Sequence, residues 1–168
     1  MSSYVVYQTA TGGMTSAMQV LLDASIGLNY EVERLGSPHG IAILCGKLDL
    51  VRFLLTRGAD PNNQYAFPPI TLLHQTALLQ STSLTRLLVG HGANVQDSKA
   101  LQGALTTRLS SALHIAVRHD QEAMVEFLLR RGAKQDSLLD FDQATPRELA
   151  AARGNPAIMC LFDQYAYL

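Results

Sequence analysis

A nine-residue pattern recurs along this chain, and its spacing restricts the fold more than any other feature. It reads LLTRGADPN at 54–62, LVGHGANVQ at 88–96 and LLRRGAKQD at 128–136, with a weaker copy, LLDASIGLN, at 21–29. Each strong copy has the composition of a helix end. Apolar residues finish a buried stripe, and a glycine follows that can take the left-handed conformation closing the last turn. In the last copy Arg130 and Arg131 stand where the negative end of a helix favours cations. From Ser25 to Gly58 is 33 positions, from Gly58 to Gly92 is 34, and from Gly92 to Gly132 is 40. A step of this size is the period of a repeat array, and the longer last step implies about seven inserted residues within 97–108.

A second pattern recurs upstream of the glycines. Its copies are SPHGIAILCG at 37–46, TLLHQTALLQ at 71–80, SALHIAVRHD at 111–120 and TPRELAAARG at 145–154. YVVYQTATGG at 4–13 is the most diverged. These stretches predict short first helices rich in small residues: Ala42, Ala77, Ala112, Ala116 and the alanines at 150–152. The second helix of each unit carries larger apolar stripes, such as Leu50, Val51, Leu54 and Leu55, or Ile158, Met159, Leu161 and Phe162. A unit of this length cannot bury such a stripe alone and must stack on its neighbours. The stretch 111–136 keeps the ordinary pattern throughout, with Leu113, His114, a Met124/Val125/Leu128/Leu129 stripe and the Gly132 stop. Asn155-Pro156 predicts a capped helix start, and Asp120 and Ser83 are the expected caps of the earlier second helices. Tyr4, Tyr7, Tyr165 and Tyr167 near the two ends suit half-exposed terminal units.

These motifs and their period resemble the ankyrin repeat. That family's first helix opens with Thr-Pro-Leu-His-x-Ala, and its second ends in Leu-Leu-x-x-Gly-Ala-Asp. The Leu-His pair stands at Leu73-His74 and Leu113-His114, and the Thr-Pro pair at Thr145-Pro146. The resemblance implies an all-α solenoid of stacked antiparallel helix pairs joined by hairpin-like loops, forming one domain over 1–168. The expected units are approximately 1–30, 31–63, 64–97, 105–137 and a truncated 138–168. It also implies that His74 and His114 hydrogen-bond within and between repeats. His39 stands where the family has leucine, with Gly40 in the histidine slot, so a local rearrangement is expected there. His91 is expected two positions before the end of a second helix.

Composition narrows the function. Hydrophobic residues make up 48% of the chain and charged residues 16%, which calls for a folded core and leaves little room for disorder. A formal net charge of −1, with no run of like charge, argues against nucleic acid or an anionic membrane as the main partner. Cys45 and Cys160 are too few and too far apart for a disulfide framework, so a reducing compartment, cytoplasmic or nuclear, is expected. The start MSSYVVYQTATGG lacks the basic and apolar regions of a secretory signal. No CxxC, HExxH, GxSxG or phosphate loop occurs, and the Glu31/Glu33 pair reads as solvated. No catalytic residue, metal or cofactor is therefore expected.

In the resembled family the exposed side of the first helices and the hairpin tips form a concave binding surface. Carried onto this sequence, its helix positions are Leu44 and Cys45, Leu78 and Leu79, Arg118 and His119, and Ala152 and Arg153. Its loop positions fall at 33–36, 67–70, 107–110 and 141–144. The middle of that surface is apolar, at Leu44, Cys45, Phe67, Ile70, Leu78 and Leu79, which marks an interaction site. Basic residues follow at Arg108, Arg118, His119 and Arg153. The expected function is a non-catalytic module, monomeric by itself, binding a partner protein or peptide there. Two alternatives stand beside it: a small hydrophobic ligand, with acid–base chemistry from His119, Cys45 and Tyr65, or a permanent subunit contact. A slip of helix phase near Gln80 would instead turn Leu78 and Leu79 inward.

Overall fold

The computed structural model describes residues 3–32, 36–63, 70–96, 110–136 and 144–166. Within them lie ten helices in five consecutive pairs. The pairs are α1 (Ser3–Gly12) with α2 (Thr15–Asp23), α3 (Pro38–Leu44) with α4 (Leu48–Thr56), and α5 (Leu72–Leu78) with α6 (Thr82–Gly90). They continue with α7 (Ala112–Arg118) and α8 (Glu122–Arg130), then α9 (Pro146–Arg153) and α10 (Pro156–Gln164). The expected inserted loop at 97–108 lies outside the described residues.

Local chemistry sets where these helices begin. The side chains of Ser37, Thr71, Ser111 and Thr145 each accept the backbone N–H three residues on, capping α3, α5, α7 and α9. At Ser111 and Thr145 the cap is reciprocal, with His114 and Glu148 reaching back to the cap's own N–H. Pro38, Pro146 and Pro156 occupy first helical positions, where a missing N–H costs nothing.

Left-handed residues set where they stop. The first helix of every pair ends in one, at Gly13, Gly46, Gln80, Asp120 and Gly154, and the second at Ser25, Gly58, Gly92 and Gly132. The weak first copy of the helix-ending pattern thus adopts the glycine geometry with a serine, at φ 71°. The next residue in each tight turn becomes the N-cap of the second helix, which corrects two expected caps. The N-cap of α6 is Ser81, whose side chain accepts from Leu84 N–H, and Ser83 lies inside the helix. The N-cap of α8 is Gln121, because Asp120 occupies the turn itself at φ 51° and cannot take the extended backbone of a cap. His91 is likewise the residue closing α6, one place beyond its last turn.

The helices stack in two layers. Each first helix touches the next first helix from α1 to α9, each second helix touches the next from α2 to α10, and the partners of each pair touch each other. Ala42, Ala77, Ala112, Ala116 and Ala150 are fully buried between first helices, where small side chains let backbones approach. Leu50, Leu54, Leu88, Met124, Leu128, Ile158 and Phe162 fill the space between the layers. Burying each of these large side chains contributes about 1.5–3 kcal/mol, so a continuous core runs the length of the stack. Of the terminal tyrosines, Tyr7 and Tyr165 are half-buried against that core, whereas Tyr4 is exposed, and Tyr167 lies outside the described residues.

Side-chain bridges tie one pair to the next. His114 accepts the Ser111 N–H at Nδ1 (3.2 Å), so its Nε2–H donates to the Ala144 carbonyl just ahead of α9 (3.2 Å). His74 makes the same reach from α5 to the Ser110 carbonyl ahead of α7. The repeat-bridging role expected of both histidines is observed. His39 sits one residue early and bonds instead to the Asp60 carbonyl, 2.9 Å away, in the turn after α4. That contact requires the proton on Nε2 and leaves Nδ1 buried with no partner among the described residues.

A second set of bridges carries no warning in the apolar pattern. Asn62 accepts the Asn94 N–H (2.7 Å) and donates to the Gly92 carbonyl (3.3 Å). Gln96 repeats this with Lys134 and Gly132, and Asn29 accepts the Asp60 N–H. The available signal was the offset: Asn29, Asn62 and Gln96 each stand four residues after the left-handed turn.

Candidate functional site

The first helices α3, α5 and α7 are each seven residues long and lie between two neighbouring first helices and their own partner. Nearly all of α3 is consequently buried, from Pro38 to Ile43. What remains open is the last turn and the residue after it, the pair preceding each left-handed turn. Those pairs are Leu44–Cys45, Leu78–Leu79, Arg118–His119 and Ala152–Arg153.

The apolar pairs point outward. Leu44 is 45% exposed, Leu78 46% and Leu79 41%, and Cys45 is an exposed free thiol. The inward-turned alternative for Leu78 and Leu79 is not realised, because the turn at Gln80 keeps the register of its neighbours. Ile70 is half-buried and packs against the core, so it offers less surface than expected. Phe67 and Arg108 lie outside the described residues. Leu44, Cys45, Leu79, Leu48 and Leu84, with Ser81, line an open groove of about 410 Å³ across the tight turns.

The basic end is weaker than its arginines imply. Arg153 forms an ion pair with Asp120, one repeat back on the same face. Asn155 donates to the same carboxylate at 3.3 Å. The Arg153 hydrogen bond, then that of Asn155, holds the Asp120 carboxyl below the usual carboxylate range. The charge of Arg153 is thereby met within the chain. Arg118 is half-buried, and His119 is exposed as the residue closing α7.

The acid–base alternative needs Cys45, His119 and Tyr65 around one cavity. The groove containing Cys45 is lined by residues of the second and third helix pairs and does not include His119, and Tyr65 lies outside the described residues. Among the described residues no three His, Cys, Asp or Glu side chains gather as a metal site, and no helix is long and apolar enough to cross a membrane.

A profile of the family described as ankyrin repeats (three copies) matches residues 39–138, more than half of the chain. The chain is similar to ankyrin repeat and SOCS box protein 11 of Mus musculus, 30% identical over 113 residues, covering 67% of this chain and 32% of that protein. The Homo sapiens protein of the same name is 28% identical over 96 residues, covering 56% of this chain and 29% of the relative. An ankyrin repeat protein of fowlpox virus is 31% identical over 100 residues, with coverage of 59% and 27%. The chain thus spans less than a third of the length of these relatives.

Proposed function

The chain belongs to the ankyrin-repeat family, whose repeats generally mediate protein–protein interaction, and from that premise we propose that it is a non-catalytic binding module. Its partner, a protein or peptide, docks on the exposed ends of the first helices, centred on Leu44, Cys45, Leu78 and Leu79. Ile70 extends the apolar side, and Arg118, His119 and Arg153 lie toward the other end; Phe67 and Arg108, which lie outside the described residues, are proposed as contacts from their sequence positions alone. One observation carries this reading: three large apolar side chains, each more than 40% exposed, stand at the ends of two adjacent helices, and two of them, Leu44 and Leu79, line one groove. A folded chain leaves water on such a cluster at a cost that a partner removes.

Alone, the chain is proposed to be a monomer. Its two exposed free thiols support the cytosol or nucleus as its working place. The test is quantitative affinity capture from native cells with the full chain, against a Leu44→Asp/Leu79→Asp variant. Both substitutions are at exposed positions and should leave the helical circular dichroism unchanged. Partners held by the wild type and lost from the variant support the proposal. A folded variant that retains every captured partner removes it.

A further inference from the structure

A second groove adjoins the apolar one. It also measures about 410 Å³ and shares Leu48 and Ser83 with it, but runs on along the outer face between α4 and α6. Its lining includes Arg52, Arg86 and His91, with no carboxylate among the described residues. All three are exposed. The Arg86 guanidinium stacks 4.9 Å over the Phe127 ring, which Arg131 also covers at 5.2 Å, and this contact restricts the cation's motion. Arg130, Arg147 and Arg153 are each paired with a carboxylate; Arg52 and Arg86 form no such pair among the described residues.

Resting on the docking reading above, we propose that the partner is an extended acidic–apolar segment. Its apolar anchor fills the groove at Leu44 and Leu79, and its carboxylates cross the tight turns to meet Arg52 and Arg86 on the outer helices. The spacing follows from helix geometry. Leu48 to Arg52 is about 6 Å along α4, and Ser83 to Arg86 about 4.5 Å along α6. An extended chain advances about 3.3 Å per residue, which puts the first acidic residue about two positions beyond the part of the anchor that reaches Leu48 and Ser83. A carboxylate nearer the anchor would fall over Leu48 and lose hydration without gaining a cation.

The test is a random-peptide display selection on the full chain, followed by anisotropy titration of the best peptide and its twin with every Asp and Glu changed to Gln. The expected peptides carry Leu, Ile, Phe or Met with Asp or Glu about two places along. Arg52→Gln/Arg86→Gln should weaken the acidic peptide by about three- to tenfold, the sum of two exposed pairs, and leave the Gln twin unchanged. Arg52→Gln alone should give part of the loss without touching the Phe127 stack. Leu79→Asp should abolish binding of both. Equal binding of peptide and twin, or no effect of either arginine variant, overturns this inference while the apolar docking reading stands. Peptides indifferent to Leu79→Asp, or no peptide above background, overturn both. A wild-type chain that sediments as a dimer, and that Leu79→Asp makes monomeric, assigns the groove to a second copy and also overturns the inference.

Discussion

Replacing Gln80 with glycine should stabilise the protein, and the amount can be worked from the turn it occupies. Gln80 holds φ +55° after α5, where the preceding pair has Gly46 at φ +66°. The two turns share their hydrogen bonds: Gln80 N–H donates to Ala77 at 3.0 Å and Gly46 N–H to Ile43 at 2.9 Å. The Gln80 side chain is exposed and makes no hydrogen bond among the described residues, so nothing repays its backbone strain. A left-handed non-glycine residue costs about 1–2 kcal/mol, and glycine gives back about 0.4–1 kcal/mol through its freer unfolded chain. The net expectation for Gln80→Gly is about 1 kcal/mol of added stability. Gly46→Ala should lose about the same, since a Cβ there meets open space and the cost is conformational alone. With an m-value of about 2 kcal/mol/M, urea midpoints followed by circular dichroism should separate by about 0.5 M in opposite directions. Asp120→Gly is the control: it frees the same kind of turn but strips Arg153 of its carboxylate, so its gain should be smaller. A Gln80→Gly variant no more stable than wild type, beside an unchanged Gly46→Ala, would refute the reasoning.

Three other outcomes follow from the interior and the bridges. Burial pushes His39 down to about 4, against the raising effects of the Asp60 carbonyl bond and the Asp60 charge. The fold therefore refuses a proton that the unfolded chain accepts below about 6.5. This contribution is whole above that pH and is lost as pH falls from 6.5 to 4, by roughly 3 kcal/mol. Unfolding free energies across that window should fall less steeply for His39→Leu than for wild type; parallel slopes would contradict it. Leu128→Ala, in a side chain with no exposed surface, should cost about 2–5 kcal/mol in urea unfolding. Asn62→Ala removes two bonds to the next pair's turn and should cost about 1 kcal/mol, with faster amide exchange at Asn94.

What the sequence announced was whatever repeats. The helix-ending glycines mark a conformation that few other residues tolerate, so their phase gave the pairs, and the Leu-His positions gave the bridges to Ser110 and Ala144. The outward aim of Leu44, Leu78 and Leu79 was expected only from the surface positions of the resembled family, with a phase slip near Gln80 left open. The helix caps were misread at Ser83 and Asp120 because a cap is fixed by backbone geometry. Gln80 and Asp120 do not advertise a left-handed turn as glycine does. Pairing across the period was hidden as well. Arg153 and Asp120 are 33 residues apart, and neither belongs to the apolar pattern that set the register. The groove at Arg52 and Arg86 escaped notice because it lies on second helices, where charged residues ordinarily face solvent without a role.

The most direct test of the account is amide exchange of the full chain with and without a bound partner or selected peptide. Slowed exchange is expected at the ends of α3 and α5 and the tight turns after them, residues 43–48 and 77–84, in a complex lost on Leu79→Asp. Slowed exchange confined to the α9–α10 end, with those turns unchanged, would contradict it.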